Sequence, residues 1–412
     1  EQALDAAGFR KLLSGSIDLS KSTIYMSQGK YIMSEESGLG VIVRKDVKAI
    51  KGGYSQFSEG TDVSARDIDA YVTVISGDVN GNKQADAGDC GLLLVKKGHI
   101  AIEGVTFQYG YVSEADASAT ECGSGIYVSG SASDTSIELT DCVIRDCKSG
   151  VTTSAKQGGP AVFVLSGQVR LNKVSLLDNT AAGRGGAVRC SSKTAVVFMN
   201  GCLLKGNSHN GSWGNGIQMS EGHICINNTT LIENMGTGAA LNGGGSILLT
   251  NNTIIGNAND SHGAVRCETG VGGDTKFINN LLISENPSAP SFNLNGSNFE
   301  AFSKGYNVYQ RVTGITMSAS DTAYPNQVNG ALNEEGVYVW DLNQIGSVKG
   351  YATRQAVIEV AKSFNPVASP ITNLGEVFVE WIGEDAFGID QRGVTRNTNK
   401  MQAGAYDAVL AN

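Results

Sequence analysis

The chain has 412 residues, with 31 Lys and Arg against 40 Asp and Glu and a formal charge of −9. It has no basic run to neutralise phosphates, which argues against a nucleic-acid partner. With 53 Gly, 6 Pro and 41% hydrophobic residues, it is too apolar for disorder and suits many short strands joined by tight turns.

No stretch approaches the apolar length that spans a bilayer. Glu1 in place of Met reads as a processed chain, whose signal peptide or lipid anchor would lie outside it.

Residues 3–14 place Leu4, Ala7, Leu12 and Leu13 at helical spacing, and residues 1–20 are read as an N-terminal cap. Strand-like runs follow at 23–26, 41–44, 47–50, 72–76, 91–95 and 100–107. Between them, Asp78, Asn80, Asn82, Asp86 and Asp89 stand at positions 1, 3, 5, 9 and 12 of a twelve-residue loop. Oxygen ligands at that spacing suit Ca2+, although Lys83 replaces the usual glycine and Asp89 is shorter than the usual bidentate Glu. The alternative is a solvated acidic turn.

From residue 120 a cassette returns, with Gly or Ala opening an alternating strand at Gly125, Ala161, Ala187, Gly216, Ala240 and Ala264. The last steps are 29, 24 and 24 residues, a period that signals a solenoid. One unit runs from strand one at 187–190 through strand two at 195–199 to strand three at 202–205. Stacked units give three parallel sheets, with coils over 21–305.

Two asparagine series keep register with the coils. Asn172, Asn200, Asn228, Asn252 and Asn280 mark the turn between strands two and three, and Asn179, Asn207, Asn234, Asn257 and Asn286 follow strand three. They are expected to tolerate left-handed backbone and to bond from coil to coil. Overlapping glycosylation sequons such as the one at Asn251 are read as by-products of these ladders. Of the eight cysteines, Cys190 and Cys267 share one slot and Cys142 and Cys202 another, which points to stacked buried thiols instead of disulfides. The repeat stops near residue 305, and 306–412 read as mixed strands and helix forming the opposite cap.

Particular stretches resemble the pectin-lyase-like superfamily of right-handed parallel β-helix proteins, especially secreted surface forms of Bacteroidetes-like bacteria. At the start these are Thr23-Ile24-Tyr25-Met26, Lys51-Gly52-Gly53-Tyr54 and Thr73 to Asp78; at the end, Asp390-Gln391-Arg392-Gly393 and Gly404-Ala405-Tyr406-Asp407. The resemblance implies an all-β right-handed parallel β-helix, export to the outside or surface of a bacterial cell, and a carbohydrate-rich setting. It implies no particular reaction, because the fold hosts lyases, hydrolases, adhesins and stalks.

Candidate chemistry lies on the outer face of strand one, where enzymes of this superfamily keep their sites. If Val188 and Cys190 point inward, Arg189 points outward, with Tyr127, Phe163, Gln218, Asn242 and Arg266 in equivalent places. Aromatic, amide and guanidinium groups in a row suit sugar rings, hydroxyls and uronate carboxylates. Trp213 is a further stacking candidate.

A lyase would need a base and a cation, for which His209, Glu221, His223, His262 and Glu268 lie near strand one. The first catalytic candidates are Arg189, Arg266 and His262. The clustered Asp of calcium-dependent pectate lyases and the motifs of polygalacturonases are absent, and no carboxylate pair has hydrolase spacing. The expected function is a non-catalytic, adhesin-like surface module that contacts polysaccharide. An acidic-glycan lyase or hydrolase is the alternative, and a structural stalk the third reading.

Overall fold

A computed structural model describes residues 5–406 apart from 58–61, 118–122, 154–156, 212, 258, 269–274, 296–300, 325–329, 334–337 and 341–347. Parallel strands coil into a right-handed β-helix. In one coil, strand one is Val188–Cys190, strand two Ala195–Asn200 and strand three Leu203–Lys205. Each pairs with its equivalents above and below, as Val188 does with Val162 and Ile217. Val188, Cys190, Val197, Met199, Cys202 and Leu204 face inward and join one continuous core. Fully burying such side chains is worth roughly 1.5–3 kcal/mol each, so every added coil strengthens its neighbours.

The turns are built from two adjacent slots. After strand two a left-handed residue recurs at Gly104, Asp141, Lys173, Gly201, Asn228, Asn251 and Asn279. After strand three it recurs at Tyr109, Asp146, Asp178, Gly206 and Glu233. The residue that follows turns its side chain inward, and there the ladders form. Asn179 Nδ2 donates to Asn207 Oδ1 at 2.9 Å, and Asn207 Nδ2 to Asn234 Oδ1 at 2.8 Å. Asn252 donates to Asn280 at 3.1 Å, Asn280 to Asn307 at 3.0 Å, and Asn307 to the Asp321 carboxylate at 3.0 Å.

The ladders stand, but their register differs from the expectation. Asn172 and Asn200 close strand two, Asn228 is the left-handed residue, and Asn252 and Asn280 are the inward ones. What had read as one series crosses three consecutive slots. Asn251, of the sequon, is fully buried.

Helix α1 (Ala6–Ser14) closes the first coil. The Asp5 carboxylate accepts from Gly8 N at 2.7 Å as its N-cap, and Phe9 and Leu13 are buried. Lys45 Nζ donates to the carbonyls of Leu12, Gly15 and Ile17, answering the negative end of the helix.

At the other end Ile315 and Met317 pack against the core. Helices α2 (Arg354–Lys362) and α3 (Leu374–Ile382) do something else: they lie on the flank. Val357, Ile358, Phe378 and Val379 cover outward Val196, Phe198, Cys225, Leu248 and Ile278 of strand two. The described residues after 305 therefore hold both an end closure and a flank cover.

All seven described cysteines are free and buried, and burial pushes the thiols of Cys142, Cys190, Cys202 and Cys267 up to about 12. They act as small apolar residues. Among the described residues no helix is long and apolar enough to cross a membrane.

Candidate functional site

The outward row of strand one is real and continuous. Tyr127 pairs with Phe163, Phe163 with Arg189, Arg189 with Gln218, Gln218 with Asn242, and Asn242 with Arg266. At ~4.8 Å per strand, Arg189 and Arg266 are roughly 15 Å apart.

Exposure is where the row departs from expectation. Tyr127 and Phe163 are 0% and 1% exposed, with ring centroids 5.3 Å apart. Val112, of the short strand Tyr111–Val112, and Ala117 and Val151, in the connections that follow strand three, fold over them as a second small core. These rings are packing groups with no face open to a ligand. Gln218 and Asn242 are buried too, and Gln218 accepts from Gly214 N at 2.7 Å and from Asn242 Nδ2 at 3.1 Å. The row had looked exposed because alternation shows which side of a strand a residue takes, not what lies over that side.

Arg189 is itself buried, at 7% exposed, but it borders a cleft. Arg189 lies over the Phe163 ring at 5.3 Å and donates Nη1–H to the Gln157 carbonyl. The Gln157 loop comes this close because Gly159, at φ 58°, has no Cβ to strike Phe163 or Arg189. Beside it, exposed Arg184 stacks on Trp213 at 5.5 Å. Gln157, Arg184, Arg189, Trp213, Gln218 and Ser220 line a cleft of about 200 Å³. No carboxylate is on its described lining, so it is cationic, with an aromatic wall. Arg184 was missed from the sequence because it lies in a loop outside the cassette; its signal is the Arg184-Gly185-Gly186 approach to strand one.

Of the catalytic candidates, His262 and Arg266 come together, whereas Arg189 stands apart. Ser261 Oγ donates to the Thr237 carbonyl at 2.6 Å, so it can only accept from His262 Nδ1 at 2.7 Å. The neutral ring then carries its proton on Nδ1 and presents Nε2 as a base. Burial, and next the Arg266 charge, pull its pKa below the ordinary value.

His223 is buried on strand two and bonded to the Lys193 carbonyl, away from this face. His209 belongs to a buried chain that sequence spacing did not reveal. Gly211 N donates to His209 Nδ1, His209 Nε2 to Asn215 Oδ1, and Asn215 Nδ2 to Asp260 Oδ1. Burial pushes Asp260 up to about 8, against the pull of its hydrogen bonds from Asn257 and Asn215.

The proposed Ca2+ loop has its oxygens committed elsewhere. Asp78 Oδ2 pairs with Lys30 Nζ at 2.5 Å, and Asp89 accepts from the amides of Val79 and Asp86 at 2.9 and 3.0 Å. Asn80 and Asn82 turn their Nδ2 groups towards Asp86 at 3.0 and 2.7 Å. Burial raises Asp78, but Lys30 and the loop amides outweigh it and hold the carboxyl below its ordinary value. The donor set does not fit Ca2+: the Lys30 ammonium already neutralises the first ligand. Among the described residues no three His, Cys, Asp or Glu are placed to hold a metal.

No curated protein and no solved structure matches the chain. A family model described as a right-handed β-helix region matches residues 70–282, just over half of the 412 residues. That span contains most of the repeating coils and of the asparagine ladders, and the strand-one cleft. The chain belongs to the right-handed β-helix family.

Proposed function

We propose that this is a secreted or surface-held module that binds an acidic glycan at the strand-one cleft without cleaving it. The observation that carries the reading is the cleft itself: Arg184 and Arg189 flank the Trp213 wall, with no carboxylate on the described lining. Guanidinium groups pair with uronate or sulfate oxygens, and the indole stacks on the sugar ring. The test is retention on immobilised polygalacturonate against the same polymer with its carboxyls reduced. Retention should be selective for the acidic polymer and fall about tenfold in Arg184→Ala and in Trp213→Ala. Equal retention of all variants, or none by the parent protein, overturns it.

A lyase is the second reading, favoured by the fixed tautomer of His262 beside Arg266. Its Nε2 would take the C5 proton of a uronate while Arg266 neutralises the carboxylate. It predicts new ultraviolet absorbance from unsaturated uronates that His262→Ala abolishes. Silence across a broad uronate panel sinks it.

A further inference from the structure

The outer face of the strand-two sheet carries a constellation unrelated to the strand-one cleft. Glu138, Arg170 and Phe198 occupy one column across three successive strands. Trp381 of α3 stacks on Phe198 at 5.9 Å and 28°, and donates Nε1–H to Glu138 Oε1 at 3.1 Å. The Arg170 guanidinium lies over the same Phe198 ring at 5.7 Å. Trp381, Glu138 and Arg170 are all partly exposed.

Glu138 and Arg170 are direct cross-strand neighbours of opposite charge, a pairing that normally closes. Among the described residues they form no ion pair. Arg170 makes one long bond, from Nη2 to Gln168 Oε1 at 3.3 Å, and its buried Nε has no partner. Among the described residues, the Glu138 carboxylate accepts its one side-chain bond from Trp381.

A guanidinium only donates and a carboxylate only accepts. A group that does both satisfies the two at once, as the hydroxyls of a sugar do. An anion would meet Glu138 and a cation would meet Arg170, so the complement is neutral. We propose that this strip is a second binding site, taking a hexose unit of an uncharged glycan. Its hydroxyls bridge Arg170 and Glu138, and its C–H face lies against Trp381. The site is on a different sheet from the strand-one cleft and stands or falls separately.

The test uses the whole protein, labelled with heavy nitrogen at tryptophan, with the indole N–H signals of Trp213, Trp340 and Trp381 assigned by single Trp→Phe variants. It is titrated with cellohexaose, maltohexaose, mannohexaose and an oligogalacturonate. At least one neutral hexasaccharide should move the Trp381 signal. Glu138→Gln and Arg170→Gln should each weaken that response about tenfold while leaving the thermal midpoint in place. The proposal is overturned if no neutral sugar moves Trp381, if the oligogalacturonate moves it further, or if both variants respond like the parent. In each of those cases the strip holds bridging water alone. A shift at Trp213 with the oligogalacturonate reports on the strand-one cleft and leaves this site untouched.

Discussion

Two halves of one row behave differently. Tyr127 and Phe163 hold the same strand-one slot as Arg189 and Gln218, in the same register, one to three coils away. In the first half the connections bring Val112, Ala117 and Val151, and the row becomes core. In the second half they bring Arg184 and Trp213, and the row becomes the floor of a cleft. The strand sets the direction of a side chain, and the loop above it decides whether that direction leads to solvent.

The contrast can be broken by substitution. Phe163→Ala should cost about 3–5 kcal/mol, as in a true core, read from the denaturant midpoint. A cost near that of an exposed site would mean the first half is not sealed.

A pH effect is expected at the buried chain from His209 through Asn215 to Asp260, next to the second half. Asp260 is raised to about 8 from its ordinary 3.8, so the folded state binds the proton more tightly than the unfolded chain. Stability is then fullest below about 4 and falls as pH rises towards about 8. Asp260→Asn should flatten that slope in thermal melts taken across the range, and an unchanged slope would assign it elsewhere.

The smallest effect is expected from Trp213→Ala, at about 0.5 kcal/mol of stability, because this ring walls a cleft and closes no core. A loss as large as that of Phe163→Ala would erase the distinction between the halves.

Much of this was legible in the sequence, and the failures have physical causes. The period and the inward Val, Cys and Leu positions gave the coils, because alternation is local. The ladder slots slipped because Asn200 pairs with Asn227 and Asn227 with Thr250, coils of 27 and 23 residues, whereas the asparagine series steps by 28 and 24. The doublets Asn227-Asn228, Asn251-Asn252 and Asn279-Asn280 were the signal that neighbouring slots were both asparagine. The Asp78 loop had the spacing of a metal site, but the Lys30 that answers it stands 48 residues earlier. The chain from His209 through Asn215 to Asp260 crosses coils, and no spacing rule links its members.

The final segment adds a constraint on how this protein can vary. Asn228 donates to the carbonyls of Ala386 and Ile389, and Thr230 to Gln391. Arg396 reaches Asn228 Oδ1, Thr253 Oγ1 accepts from Ala405 N, and Asn279 donates to the Gln402 carbonyl. One stretch of chain thus grips three successive coils at fixed intervals. Solenoids ordinarily lengthen by duplicating a repeat, since each unit meets only its neighbours. Here an extra coil between Thr230 and Asn279 would spread the grips by ~4.8 Å and break the match. The tail and the flank helices act as a gauge of coil number, since Gln391 also holds the Cys202 carbonyl and Trp381 holds Glu138. Growth is therefore open to this protein on the N-terminal side of Glu138 and closed beneath the strap.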